Sequence, residues 1–473
     1  MDGGFPKDNP YVTGKYGPVS NEITATDLKV IGEIPKDFGG VYLRNGPNPR
    51  YTPKDRAHWF DGDGMLHAVH FENGKATYRN RYVHTADFED ETKAGAPVYP
   101  GLLQPFNKKR PMKPLKDTAN TDVKFHAGHA LAMWYVSGTP YKVHPISLET
   151  LGPESFNGKL KRNVSAHSKN DPHTGEFIFF DYGVQKPWMT YGVVDKNDDL
   201  VHFTEIELPG PRLPHDMAVT QNYSIVMDLP LFLTDEALRT GKWQISFHDD
   251  MPARFGVIPR HGKGSEVRWF EAEPCYVYHV SNAWEEGDEI VMEGFRVVEP
   301  CPKADPRDGE LARMMAFLRP TYYAYRWRFN LKTGRTSEAV LDNRNAEFPT
   351  INWNYMGRKT RYSYNVMLEA APTLLFEGLV KYDRGTDTAI EHKFGKGIYG
   401  SEAPFAPRHN AKSEDDGYAV TFVQNEADGK SEMLLIDAQN FGAKPVARIQ
   451  LPQRVPLGFH ACWVTEDELK TVA

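Results

Sequence analysis

Three cysteines, Cys275, Cys301 and Cys462, are all the chain has in 473 residues. They are too few and too irregular for a disulfide framework or a cysteine-rich zinc site, and they match a reducing compartment. No run approaches the roughly 18 apolar residues of a spanning helix. Met1 to Asp8 has neither the basic nor the apolar region of a secretory signal. A soluble cytoplasmic protein is the expectation. An excess of positive charge is missing too: 56 Lys and Arg stand against 63 Asp and Glu, a formal net charge of −7. The two signs are interspersed, so nucleic acid is not an expected partner. There is no clean linker, no low-complexity tract and no WD or kelch repeat. With no internal boundary visible, residues 1–473 read as a single unit.

What is present is turn chemistry and short strands. Glycines (39) and prolines (35) spread over the whole length deny the chain long helices and point to an all-β class. Phe71 to Tyr78, Asp171 to Ile178 and Phe329 to Arg335 each read as strand, glycine-containing turn, strand, because Gly and Asn accept the positive φ that a tight hairpin needs. Three segments read as additions to that pattern: Gly101 to Leu115, Leu229 to Thr240, and Asp308 to Leu318, the last with helical spacing of Leu311, Met314, Met315 and Leu318.

Against this background four histidines lie in short strand-like contexts: His167 after Val164-Ser165-Ala166, His215 after Leu213-Pro214, His279 after Tyr276-Val277-Tyr278, and His460 after Gly458-Phe459. They are spaced far too widely for a zinc knuckle or a helical two-histidine motif. Only a fold that brings distant strands to one axis, as a β-propeller does, could join them in a shared metal site. Four neutral imidazoles would hold a divalent first-row metal without cancelling its charge, with one or two octahedral positions open. That donor set suits Fe(II) and oxygen, whereas hydrolytic zinc more often takes three ligands plus water. A calcium or zinc propeller hydrolase and a non-enzymatic propeller are the competing classes. Cys275 and Cys462, close to His279 and His460 in sequence, are expected to be buried as small apolar side chains.

The text around these histidines resembles the carotenoid cleavage oxygenases almost end to end. It matches at Gly32-Glu33-Ile34-Pro35, Tyr42 to Pro49 (Tyr-Leu-Arg-Asn-Gly-Pro-Asn-Pro), His58 to Met65 (His-Trp-Phe-Asp-Gly-Asp-Gly-Met), Asn282-Ala283-Trp284-Glu285, Glu347-Phe348-Pro349 and Gly458 to Trp463 (Gly-Phe-His-Ala-Cys-Trp). The resemblance implies a seven-bladed β-propeller with an axial metal site, capped on one face by loops and short helices that include the three added segments. It makes His167, His215, His279 and His460 the ligands of Fe(2+), with O2 as co-substrate. It also implies three glutamates that orient the ligands; two match Glu347 and Glu402, while the third position holds Tyr135, by analogy beside His215. Thr121 matches a residue that crowds one open metal position. The implied reaction is oxidative scission of a C=C bond into two carbonyl products, with no obligatory protein acid or base. Asp61, Asp63 and Asp216 are accordingly not assigned catalytic roles, and Asp61-Gly62-Asp63-Gly64 is taken as a turn.

The alkene is harder to read. Relatives that cleave phenolic alkenes grip the phenol with a lysine and a tyrosine, and the resemblance aligns Trp134 and Leu102 with those positions. Apolar surface there favours a lipophilic polyene stacked on Trp59, Phe60 and Trp134. A carotenoid or apocarotenoid is the first expectation; a phenylpropenoid or stilbene, of the isoeugenol, 4-vinylguaiacol or resveratrol type, is the second. The segment from Gly101 to Met112 mixes apolar residues with Lys108, Lys109 and Arg110. It reads either as a solvated loop or as a peripheral membrane contact that draws in the substrate.

Overall fold

The structure is a computed structural model and describes residues 8–52, 57–110 and 114–472. Strands dominate, and they sort into seven antiparallel sheets of four or more strands, apart from a small two-stranded ribbon of Leu231–Leu233 with Ile245–Phe247. These are the seven blades of a propeller. Blades two, three, five and six are each built from consecutive strands in simple chain order, the up-and-down pattern that hairpin turns produce. The expected turns are in place: Asn73 (φ 53°) and Gly74 (φ 71°) close the hairpin between Glu72 and Lys75, and Gly175 (φ 73°) turns between Asp171 and Glu176.

Two exchanges of strand close the ring. The C-terminal strand Ala461–Thr465 pairs with Gly40–Arg44 and supplies the edge strand of the first blade. Near the N-terminus, Val30–Gly32 pairs with Ala447–Gln450 of the last blade. Each end of the chain therefore completes a blade begun by the other, so opening the ring requires breaking a ladder. Tyr42, Phe71, Tyr78 and Trp463 pack in the closing seam with Phe38 and Tyr418.

Of the three added segments, Leu229 to Thr240 contains a strand of the ribbon and the helix Asp235–Thr240, capped by Thr234. Asp308 to Leu318 falls on a 3-10 turn, Pro306–Leu311, that runs into the helix Ala312–Phe317. Gly101 to Leu115 has no regular element in its described part. All three contribute residues over one mouth of the propeller, among them Leu103, Leu231, Met314 and Leu318. In the first segment Leu102 is buried with Trp134 and Leu115, and Phe106 meets Trp243 edge-on at 6.1 Å, while Pro111 and Met112 of the candidate membrane contact lie outside the described residues. Among the described residues no helix is long and apolar enough to cross a membrane.

Candidate metal centre

Every blade sends a polar residue to the axis from the strand at its inner edge. His460 directly precedes Ala461–Thr465 of the first blade, and Thr121 and Asp122 open the second at Asp122–His126. His167 and His215 stand just before the inner strands of the third and fourth blades, Lys169–Asp171 and Ala218–Val219. His279 and Glu347 lie within those of the fifth and sixth, Val277–Glu286 and Ala346–Thr350. Glu402 follows Ile398–Gly400 of the seventh. Regular pairing is interrupted where side chains must turn inward: the register shifts beside His279 and beside Glu347, as bulges next to functional sites do. His167 (φ 65°) and Phe348 (φ 50°) occupy the left-handed region, a conformation that costs a non-glycine residue of order 1–3 kcal/mol and persists only where the surroundings impose it.

The four histidines meet. The ring centroid of His167 lies 4.7 Å from His215, 4.7 Å from His279 and 4.4 Å from His460. His279 is 5.1 Å from His215 and 4.7 Å from His460. The ligand atoms of His167, His279 and His460 lie within 4.8 Å of one another. The Nε2 atoms of His167 and His279 are buried and make no hydrogen bond. Buried imidazole nitrogens without partners are costly unless they meet something else. Burial first, and then the neighbouring histidines, drives His167 and His279 far below the ordinary imidazole range, and burial takes His215 down to about 3. These rings are neutral at physiological pH with lone pairs to donate, so the donor set fits a divalent metal ion.

Two carboxylates orient the rings from behind. His279 Nδ1 donates to Glu347 Oε2 at 2.5 Å, and the same oxygen accepts from the Phe348 backbone N–H. His460 Nδ1 donates to Glu402 Oε1 at 3.0 Å, while Oε2 of Glu402 accepts from Ala461 N at 2.5 Å. Each bond fixes Nδ1 as the protonated nitrogen and leaves Nε2 facing the axis. Tyr135 stands beside His215 with ring centroids 5.3 Å apart and meets Phe60 edge-on at 5.1 Å. Its hydroxyl makes no hydrogen bond to His215, so the ring of His215 is packed rather than tethered. Thr121 Oγ1 donates to Asn120 Oδ1 at 3.0 Å and accepts from Tyr135 N at 3.2 Å. With the hydroxyl so engaged, the methyl is what Thr121 offers the cavity.

Sequence reasoning passed over the carboxylates that join neighbouring blades. Asp122 Oδ2 accepts from His167 N at 3.0 Å across the second and third blades, and Asp216 Oδ2 accepts from Val280 N at 2.7 Å across the fourth and fifth. Both are buried and paired with lysine: Lys124 lies 3.2 Å from Asp122 and Lys169 2.6 Å from Asp216. Their position directly after Thr121 and His215 was the available signal. The carboxylate of Asp61 caps His58 N and Leu102 N, and burial lifts it to about 6.

A cavity of about 170 Å³ opens on the imidazoles and is walled by Trp59, Phe60, Leu103, Phe317, Phe348 and Phe459 among others. Trp59 and Phe60 are where the sequence puts them. Leu102 and Trp134 are not, and the expectation that they line this cavity is corrected. Leu102, held by the hydrogen bond to Asp61, points away and packs on Trp134, while Leu103 takes the place by the metal site. Trp134 borders a separate pocket with Phe106, Leu115, Val136 and Trp243. Cys275 and Cys462 are buried and unpaired, as small apolar side chains would be.

Comparison with known proteins agrees with this architecture. The family described as retinal pigment epithelial membrane protein matches residues 16–465. A carotenoid 9,10(9′,10′)-cleavage dioxygenase of Crocus sativus is 37% identical over 97% of this chain and 90% of its own length. A carotenoid cleavage oxygenase of Mycobacterium tuberculosis is 32% identical over 96% of the chain and 97% of its own length. Among solved structures, a lignostilbene dioxygenase of Pseudomonas brassicacearum superimposes with a TM-score of 0.86 at 27% identity, covering 98% of this chain and 99% of the other. A cobalt-substituted Synechocystis ACO shares the fold, with a TM-score of 0.84 at 24% identity over 95% of this chain and 97% of the other. The chain belongs to the carotenoid cleavage oxygenase family, and it is a dioxygenase of that family.

Proposed function

We propose that the chain cleaves a carbon–carbon double bond of a carotenoid or apocarotenoid with O2, giving two carbonyl products, at an Fe(II) held by His167, His215, His279 and His460. The observation that carries this reading is the convergence of four imidazoles at the floor of an aromatic cavity. Bound there, Fe(II) supplies the redox chemistry that lets O2 react with an electron-rich alkene. The protein's own part is alignment and exclusion of water. Trp59, Phe60, Phe348 and Phe459 offer flat apolar faces along which a conjugated chain can lie, and the Thr121 methyl narrows the approach beside His460. No side chain in the cavity is needed to take or give a proton. Metal analysis of protein purified without chelator tests the reading: iron near one equivalent is expected, and calcium or zinc in its place would transfer the chain to a propeller hydrolase class.

The orienting carboxylates yield a second expectation. Glu347→Gln and Glu402→Gln keep the shape but donate an N–H or a neutral oxygen where Nδ1 needs a carboxylate, so each should lose about 10–100-fold in iron retention or activity. Wild-type iron content and turnover in both variants would show the two glutamates to be ordinary buried polar residues.

Three phenols bear on the substrate. Tyr135, Tyr278 and Tyr322 line the cavity, and their hydroxyls make no hydrogen bond among the described residues, unlike Tyr182 and Tyr276, which donate to the carbonyls of Tyr135 and Leu213. Free donors in an apolar cavity favour a polyene that carries oxygen over a plain hydrocarbon. Tyr278→Phe and Tyr322→Phe should each raise KM for an oxygenated apocarotenoid by about 2–10-fold, the worth of one neutral hydrogen bond, with little change for the hydrocarbon counterpart. Equal effects on both substrates would refute that role.

A further inference from the structure

We propose that the chain carries a second metal site, for a zinc-class divalent cation, at the opposite end of the propeller from the four histidines, formed by His129, Glu154 and Asp198 with His126 beside them. His126 is four residues beyond Asp122 along one extended strand, roughly 13 Å away. It faces His129 directly across the hairpin that joins Asp122–His126 to His129–Met133. The turn between them is Ala127 (φ 45°) and Gly128 (φ 84°), both left-handed, and an alanine there costs about 1–2 kcal/mol. Residues directly opposite in an antiparallel pair have side chains on one face, so the hairpin presents two imidazoles together. Glu154 follows Thr150–Pro153, the outer strand of the same blade. Asp198 comes from the turn between Met189–Val194 and Leu200–Ile206 of the neighbouring blade.

The ligand atoms of His129, Glu154 and Asp198 all lie within 4.8 Å of one another. His129 Nε2 lies 3.5 Å from Glu154 Oε2 and 4.0 Å from Asp198 Oδ2, and His126 Nε2 lies 3.9 Å from Asp198 Oδ1. Nε2 of both histidines and Asp198 Oδ1 are buried with no hydrogen bond, and His126 and Glu154 are 4% and 3% exposed. A network satisfied by its own hydrogen bonds would have closed to about 3 Å. Ligands at ~2.0–2.2 Å from a tetrahedral ion stand roughly 3.3–3.6 Å apart, so the His129–Glu154 pair already fits and the His129–Asp198 pair needs only a small contraction. One imidazole nitrogen and two carboxylate oxygens, with a fourth position open to water, make a zinc donor set rather than the all-oxygen shell of calcium. Burial, and then His129, takes His126 down to about 4, leaving its nitrogen free to donate, while burial and the adjacent Glu154 push Asp198 up to about 6. Lys142, 3.0 Å from Glu154 Oε2, offsets one of the two carboxylate charges and leaves the other to the ion. Oε1 of Glu154 is already fixed by the N–H groups of Ser155 and Phe156, the outer support that metal-binding carboxylates require. His126, Gly128 and Asp198 form part of the wall of a funnel of about 950 Å³, which provides an entry path. An ion there would clamp the second blade to the third, the same pair that Asp122 joins at the other end.

The test uses the full chain, stripped by chelator and reloaded with Co(II), in wild type, His129→Ala, Asp198→Asn and His215→Ala. Two equivalents are expected in the wild type, with the intense visible absorption of four-coordinate Co(II). That absorption and one equivalent should vanish in H129A and D198N and persist in H215A, which removes an axial ligand instead. Zn(II) should raise the Tm of stripped wild type and H215A but not of D198N. With iron reloaded, H129A and D198N should turn over normally, which certifies their fold. One equivalent in the wild type, or a second equivalent and absorption untouched in H129A and D198N, would overturn the proposal. Loss of the axial equivalent in H215A without loss of the second keeps this result separate from the reading of the iron site.

Discussion

His215→Ala and His279→Ala both reduce turnover to that of metal-free protein, but only His279→Ala loosens the fold. Either change removes one imidazole from the axial set and with it the closed arrangement around the ion. The difference lies behind the ring. Removing His279 strands Glu347, which is fully buried and already pushed well above the ordinary carboxylate range, first by desolvation. Its Oε1 has no partner even in the intact protein, so the variant leaves a second oxygen half-satisfied, at about 1–3 kcal/mol. His215 has no tethering hydrogen bond from its ring and borders an open cavity, so alanine there leaves no stranded polar group. Thermal unfolding of the metal-free variants distinguishes the two: a Tm fall of about 1–3 °C is expected for His279→Ala in a chain of this length, and almost none for His215→Ala. Equal Tm values would mean that Glu347 finds water or another partner. At position 167 the better test is His167→Asn, because the left-handed backbone there penalises alanine.

Much of this site was legible in sequence because each ligand sits in a short, distinctive context at the entry to an inner strand, where chain position and spatial position are locked together by the blade. The same holds for Glu347 and Glu402. Away from the strands the correspondence weakened. Leu102 and Leu103 are adjacent in a segment without regular structure, and which of them faces the metal was decided by a hydrogen bond from Leu102 N to Asp61, a long-range contact that no local pattern encodes. Trp134 directly precedes Tyr135 near the end of a strand, and successive side chains there point to opposite faces. Once Tyr135 turned toward His215, Trp134 had to turn away. The blade-to-blade carboxylates Asp122 and Asp216 were hidden for the opposite reason: a buried aspartate with a lysine partner looks in sequence like any other charged residue.

Apocarotenal should be cleaved with at least tenfold higher kcat/KM than resveratrol or isoeugenol under the same oxygen tension. Trp134 and Leu102 are not among the residues that line the cavity, so its own wall discriminates between the substrates. Its wall near the imidazoles is aromatic and aliphatic. The cation on its lining, Arg313, lies on an exposed part of the cap, where it donates to the Ile245 carbonyl at 2.8 Å. A phenolate held in this cavity would meet neutral tyrosine hydroxyls and no cationic side chain beside the imidazoles, and desolvating an anion without a partner side chain is costly. A polyene loses nothing by entering and gains the stacked faces of Trp59 and Phe60. Tenfold corresponds to about 1.4 kcal/mol in transition-state preference, less than burial of one additional apolar side chain contributes. A tenfold preference in the other direction would transfer the chain to the phenylpropenoid and stilbene cleaving branch. Tyr278 and Tyr322, the free donors near the metal, would then be the groups that recognise the phenol, and their phenylalanine variants should lose phenolic substrate while sparing the polyene.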